Sequence, residues 1–200
     1  QVIHKENSGV VEARKTGVQI ATGMYCAFVD SDDWLNNEYI EKMVKIIVES
    51  EPDMICCGFI KTNGISVIEM PLAFRAGHYT ESQKNTEIMP YCLAGKNGKT
   101  FPINLWAKAY KTELCRKMVS VPESEMTYSE DLCCIVYGLY NSQTLYIIDE
   151  CLYFYRINPD SVCCSKKGKP WNIPQLVEKS LLNSIDINVC DYRNQLDRRL

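Results

Sequence analysis

The sequence predicts an α/β protein: a mixed β-sheet flanked by helices. Three observations carry that expectation. Helical and strand-like segments alternate through the first part of the chain, the pattern of strands joined by crossover helices. Asn63-Gly64 between two apolar runs signals an antiparallel hairpin. Two further strand-like runs follow one another at 144–148 and 152–157, so parallel and antiparallel pairing should share one sheet. With 200 residues, 46% of them hydrophobic, one domain with a sizeable core is expected.

The elements follow in order. Gln1-Val2-Ile3-His4 reads as the end of a strand, without an initiator Met or a signal-peptide pattern, so a fragment lacking its first elements is expected. Asn7-Ser8-Gly9 offers an N-cap, with Glu12 in the first turn. Val10, Ala13, Gly17 and Ala21 share one face of that helix, and Gly23 stops it. A strand over 24–29 leads into an acidic turn. Asn36 or Asn37 can cap a second helix with the stripe Ile40, Met43, Val44, Ile47, ended by Pro52. Met54 to Ile60 reads as a buried strand that returns through the hairpin to Met70. Thr80-x-x-Gln83 is a capping box, and Pro90 breaks or kinks the helix it starts. Gly95 to Lys99 is a loop. Thr112 could cap a short helix through Met118, and Ser129 a clearer one with Leu132, Ile135, Val136 and Leu139 on its apolar face. Residues 158–174 read as a loop, and the stretch from Gln175 as an amphipathic helix with a charged end.

Composition narrows the function. Net charge is −3 with no basic stripe, against a general nucleic-acid binder. No apolar run approaches a membrane span, which leaves peripheral association as the route to a membrane. The 11 cysteines include the adjacent pairs Cys56-Cys57, Cys133-Cys134 and Cys163-Cys164, with no two-residue gap of a zinc or redox motif. Free structural thiols in a reduced, cytosolic compartment are expected, with the inner face of the membrane a permitted address.

The chemistry gathers at Asp30-Ser31-Asp32-Asp33, directly after the apolar run Tyr25-Cys26-Ala27-Phe28-Val29. Like charges that close repel, and packing does not explain them. Ligands of open α/β sheets bind beyond the carboxyl ends of strands, where this cluster falls. Hard oxygen donors select Mg²⁺ or Mn²⁺, which also binds a diphosphate. The alternative is a solvated, capped turn.

Asn7-Ser8-Gly9-Val10-Val11-Glu12-Ala13-Arg14-Lys15-Thr16-Gly17, Ala21-Thr22-Gly23-Met24-Tyr25 and Phe28-Val29-Asp30-Ser31-Asp32-Asp33-Trp34-Leu35 together resemble the family 2 glycosyltransferases, with Ser8 in place of a second Gly and Lys15 in place of Asn. Trp106-Ala107-Lys108-Ala109-Tyr110 with Glu113-Leu114, Ser129-Glu130-Asp131-Leu132, and Leu152-Tyr153-Phe154-Tyr155-Arg156 with Ser161 continue the likeness. The resemblance implies a GT-A-like fold over 1–162, a partial catalytic domain, with 163–200 a loop and helix packed on it. It implies an inverting enzyme that moves a sugar from a nucleotide-sugar, a UDP-sugar for preference, to a hydroxyl of a saccharide or glycoconjugate such as bacterial polysaccharide. The family's opening strand, helix and strand, which bind the nucleoside, have no match here.

Roles follow from the resemblance. Asp32 is favoured as direct ligand of Mn²⁺ or Mg²⁺, with Asp30 on the nucleotide-sugar or the metal's water. Asp33 binds the metal through water or orients the site. Asp131 is the candidate general base and Glu130 contacts the acceptor. For Arg14, a salt bridge to the cluster and a nucleotide contact are both open. Trp106 could stack on a sugar, though a buried Trp is commoner. Lys108 and Arg156 could neutralise phosphate or pair on the surface. His4 and His78 receive no role.

Two rival readings compete. A haloacid-dehalogenase-like phosphatase also places Asp-x-Asp after a strand, but predicts a small Thr or Val where Trp34 stands. A non-catalytic remnant would bind metal or acceptor and transfer nothing.

Overall fold

The computed structural model describes residues 1–92, 95, 99–158, 172–186 and 195. In chain order the elements are α1 (Gly9–Ile20), β1 (Tyr25–Ala27), β2 (Trp34–Leu35), α2 (Tyr39–Ser50), β3 (Met54–Thr62), β4 (Val67–Met70), β5 (Gly77–Tyr79), α3 (Glu81–Glu87), a 3-10 turn (Met89–Tyr91), β6 (Lys108–Lys111), α4 (Thr112–Met118), α5 (Glu130–Asn141), β7 (Leu145–Arg156) and α6 (Ile173–Leu182). Ser161, Cys163-Cys164, most of the 158–174 loop and the proposed boundary at 162 lie outside the described residues.

The sheet is mixed, as the sequence predicts. Strand β3 runs parallel to β7, from Met54 beside Leu145 to Thr62 beside Arg156. Its other edge pairs antiparallel with β6 at Met54–Cys56 and with β4 at Phe59–Thr62. Strand β1 pairs antiparallel with β6, so β1, β3 and β7 point the same way. Strands β2 and β5 pair antiparallel with β7. The acidic turn after β1 and Arg156 at the end of β7 therefore share the carboxyl edge of the parallel strands.

The register of β3 with β7 shifts on both sides of Gly58. A Cβ there would lie 2.7 Å from Cys151 Sγ and 3.1 Å from Met70 O, so glycine allows the backbones to close. The Asn63-Gly64 turn forms, with Asn63 Oδ1 accepting from the Ile65 and Ser66 amides and Gly64 at φ +87°.

Alternation along β3 sorts the core onto two faces. Met54 and Cys56 join Tyr110, Leu145 and Ile147 under α4, α5 and α6, where Leu132, Ile135, Val136 and Leu139 all bury as expected. Ile55 and Cys57 join Ala109, Leu152 and Tyr153 under α2. Isolated, the short α2 would be marginal, so burying Tyr39, Met43 and Ile46, about 2 kcal/mol each, holds it in place.

The structure corrects several expectations. In α1 the buried residues are Val11 and Val18, one step out of phase with Val10, Ala13 and Gly17, which stay exposed. In α2 Ile40 and Val44 face solvent, because Tyr39 takes the inward position and its hydroxyl donates to Lys108 O at 3.1 Å. The capping box Thr80/Gln83 forms as predicted. Ser8, Ser129 and Asn36/Asn37 do not cap through their side chains onto the first helical turns; Asn7 Oδ1 and Asn36 Oδ1 each hold an amide two residues on. Thr112 opens α4 as its first residue, its hydroxyl donating to Gly23 O at 2.6 Å. The two runs expected at 144–157 are one strand, β7. The helix expected from Gln175 begins at Ile173, with Pro174 in its first turn.

Cysteines 26, 56, 57, 92, 115, 133, 134 and 151 are free, and burial pushes the thiols of Cys56, Cys57 and Cys133 up to about 12. No described helix is long and apolar enough to cross a membrane.

Candidate active site

Helix α1 points Arg14 inward because it shares a face with Val11 and Val18, three and four residues away. Its Nη1 donates to Glu130 Oε1 at 2.8 Å and to Asp131 Oδ1 at 2.5 Å. Its Nη2 lies 3.9 Å from Asp30 Oδ1. One guanidinium thus joins the acidic turn after β1 to the first residues of α5. Three carboxylates face one cation, so the cluster keeps a negative excess.

Both acids at the head of α5 are placed by Ser129, whose left-handed backbone, φ +64°, turns the chain into the helix. Asp131 Oδ2 accepts from the Leu105 amide at 3.2 Å. Burial raises the Asp131 carboxyl to about 6; Arg14 and the Leu105 amide oppose that rise, while Glu130 adds to it. Burial likewise raises Asp30, against the pull of Arg14 and with the push of Asp33 and Asp32. The Arg14 guanidinium stays firmly charged because the acids around it outweigh its desolvation.

The acidic turn is closed by the Asp33 amide donating to Asp30 O at 3.1 Å. Strand β7 holds it from the side. The Tyr153 hydroxyl donates to Asp33 Oδ2 at 2.7 Å and accepts from the Asp30 amide at 3.1 Å. The Arg156 amide donates to Asp33 Oδ1 at 2.8 Å, and Arg156 Nε to Asp32 O at 2.9 Å. Each Asp33 oxygen thus accepts a hydrogen bond from β7, which holds the turn against that strand. Burial raises the Asp33 carboxyl, opposed by those hydrogen bonds. The Asp32 side chain is exposed and accepts no hydrogen bond from the described residues.

Among the described residues no three of His, Cys, Asp and Glu form a metal cage. The donor set instead fits the way Mg²⁺ and Mn²⁺ are held beside phosphates: one or two carboxylates, with water and phosphate oxygens filling the rest. Among the described residues Asp32 accepts no hydrogen bond and Asp30 is only weakly paired, and these two carboxylates meet that description.

Two expected residues sit elsewhere. Trp106 is 9% exposed, stacked on Tyr153 and Tyr155 at 4.7 and 5.3 Å and met edge-on by Phe59. It is core, and its ring is not open to a sugar. Lys108 is 1% exposed, with Nζ donating to Asn104 O at 2.7 Å, so it ties the 104–106 loop and reaches neither phosphate nor surface. Burial lowers its ammonium's pKa. Arg156 is exposed at the acidic turn, its Nε donating to Asp32 O. The role of Tyr153 escaped the sequence reading, which saw it only as part of an aromatic-Arg run.

Known proteins resemble this chain in sequence and in fold. Residues 1–98 match the sequence profile of glycosyl transferase family 2. EpsJ of Bacillus subtilis (strain 168), an uncharacterised glycosyltransferase, is 26% identical over 162 residues, 81% of this chain and 46% of its own. Glycosyltransferase GlyA of Streptococcus pneumoniae serotype 4 is 31% identical over 117 residues, 58% of this chain and 17% of its own. These matches support a family 2 glycosyltransferase, the resemblance the sequence carries. The phosphatase reading is thereby set aside. The chain spans less than half the length of either curated relative. In fold, this chain superposes on S. aureus TarS 1–349 in complex with UDP-GlcNAc at TM-score 0.67 and 18% identity, over 96% of this chain and 54% of that one. The UDP complex of TarS 1–349 gives 0.64 at 20% identity, over 96% and 51%. The fold is the GT-A fold the sequence predicts. Glu130 and Asp131 lie beyond the family-matched stretch, and the structure brings them to its acidic turn through Arg14.

Proposed function

We propose that this chain supplies the metal- and acceptor-facing part of a glycosyltransferase site. In this reading the whole protein moves a sugar, with inversion, from a nucleotide-sugar, a UDP-sugar for preference, to a hydroxyl of a saccharide or glycoconjugate. The observation that carries it is the Arg14 cluster: acids from the turn after β1 and from the head of α5 converge on one guanidinium. The UDP-GlcNAc bound to the structural neighbour TarS supports the donor class.

Each residue then has a task. Asp131 takes the proton of the acceptor hydroxyl as that oxygen attacks the anomeric carbon from the side opposite the leaving diphosphate. Arg14 and the Leu105 amide fix its two oxygens, which orients the carboxylate before the acceptor arrives. Glu130, beside it, holds the acceptor. Asp32 and Asp30 would hold a divalent cation, Mn²⁺ or Mg²⁺, which offsets the charge of the departing diphosphate. Tyr153 and the Arg156 backbone keep Asp33, and through it the turn, in place. The Arg156 guanidinium lies where it can meet a phosphate oxygen.

The test is donor hydrolysis and transfer by the full-length protein across a panel of nucleotide-sugars with Mn²⁺ or Mg²⁺. Turnover of one donor, metal-dependent donor binding lost in Asp32→Ala, and transfer lost with donor binding kept in Asp131→Asn are expected. Substantial transfer by Asp131→Asn would remove it as the base, and metal-dependent binding undiminished in Asp32→Ala would remove the metal assignment.

A further inference from the structure

The sequence offered Trp106 to a sugar ring, and the structure closes that position. A different tryptophan stands open. Trp34 follows Asp33 directly, is 38% exposed, and lies in β2 at the rim of the acidic turn. Its ring is stacked on Phe154, its cross-strand partner, at 5.2 Å and 7° between planes. The Arg156 guanidinium lies 5.3 Å from the ring centre, and the same Arg156 donates to Asp32 O. The indole is thus held against one aromatic ring and one cation, both from β7, so little side-chain freedom remains to be lost on binding. Beside it sit the exposed Asp32 carboxylate, which accepts no hydrogen bond from the described residues, and the Arg156 guanidinium. An exposed, immobilised aromatic at the rim of a charged turn is the composition of a carbohydrate subsite: the exposed part of the indole takes the C–H face of a pyranose, and polar groups around the turn take its hydroxyls. Nothing in the core requires this ring, since the cluster under α2 closes over Trp106, Tyr153 and Leu152 without it.

We propose that Trp34, backed by Phe154 and Arg156, is the platform on which a pyranose ring of the saccharide acceptor stacks. The assignment rests on the transfer reading above and names a residue that holds the acceptor at the rim of the acidic turn.

Saturation-transfer NMR on the full-length protein tests it, with cellobiose, lactose and chitobiose as probes, alongside donor hydrolysis. Trp34→Leu keeps apolar bulk against Phe154 but removes the flat ring; Trp34→Phe keeps a smaller flat ring. At least one probe should receive saturation on its ring C–H protons from the wild type. That signal should fall at least fivefold in Trp34→Leu, stay within about twofold in Trp34→Phe, and fall by a larger factor than donor hydrolysis does in Trp34→Leu. Equal signals in wild type and Trp34→Leu, equal losses in both variants, or no saturation of any probe would overturn the platform. If the wild type hydrolyses no donor yet saturates a probe through Trp34, the transfer reading fails and the platform stands.

Discussion

Arg14 and Asp131 lie 117 positions apart in the chain and meet side chain to side chain at 2.5 Å. The contact has a direction. Arg14 pulls the Asp131 carboxyl down against the burial that raises it to about 6. Removing the cation in Arg14→Gln should lift that pKa further. A base works ionised, so the acid limb of kcat/KM should move to higher pH, with activity lost near neutrality and partly regained toward pH 9. The same substitution strands Asp131 and Glu130. It should cost up to about 3 kcal/mol, the low end for breaking a buried pair, because both acids keep some solvent contact. A pH–rate profile with an unmoved acid limb would show that Arg14 does not tune the base.

Asp131 itself should be a residue that function keeps at the expense of stability. Its folded pKa, about 6, lies above the ordinary value of about 3.9 for an unfolded chain. Between those values the folded state holds the proton more tightly. Stability from this group is therefore full at low pH and is lost as pH rises through about 6. Asp131→Asn removes that loss. The variant should melt at or above the wild-type temperature at pH 8, and its advantage should shrink as pH falls toward 4. Paired thermal melts across that range check it; a variant less stable at pH 8 than at pH 4, relative to wild type, would reverse the sign.

Much of this site was legible in the sequence, and the exceptions have physical causes. The acidic turn stood out because like charges beside a buried strand demand an explanation. Glu130-Asp131 could be named only by family likeness, since an acid pair at a helix start is ordinary, and nothing local says that Arg14 will reach it. The phase of α1 misled for a related reason: a charged residue occupies the inward face, so Val11 and Val18 alone mark it, while Val10 and Ala13 suggest another. In α2 both candidate stripes are apolar, and the choice fell to the Tyr39 hydroxyl finding a carbonyl across the sheet. Trp106 and Lys108 were read as site residues from a motif whose spacing serves packing. Strands β2 and β5 are too short to leave a periodic signal and exist because β7 offers them an edge.

Tyr153 is the link between the core and the acidic turn. Its ring is fully buried, yet its hydroxyl ties the Asp33 carboxylate to the Asp30 amide. Tyr153→Phe should keep the packing and lose both bonds, at a cost of about 1–2 kcal/mol. As a positioning residue it should also weaken Mn²⁺ binding in the presence of UDP, by roughly the 10–100-fold typical of groups that orient metal ligands. Calorimetric titration of the full-length protein separates the two effects. Lower melting temperature with unchanged Mn²⁺ affinity would confine Tyr153 to a role in stability.

The far end of α5 provides a control, because it shares the helix with Glu130 and Asp131 but none of their chemistry. Lys84 of α3 is fully buried, and its Nζ donates to Leu139 O, Ser142 O and the Ser142 hydroxyl. Leu139 O and Ser142 O are carbonyls at the end of the helix, and a cation there also meets the negative end of the helix dipole. Lys84→Met keeps the apolar stem and removes the donor. The Ser142 carbonyl then loses this donor, while Leu139 O keeps the Ser142 hydroxyl; the cost is about 1–3 kcal/mol, which in a chain of this size lowers the melting temperature by about 2–12 °C. The head of the helix stays held by Arg14 and the Leu105 amide, so the acid limb of the pH–rate profile should not move. Thermal melts and pH profiles on the same preparation decide it: a shifted limb in Lys84→Met would mean that the placement of Asp131 depends on the whole helix, rather than on the contacts at its first turn.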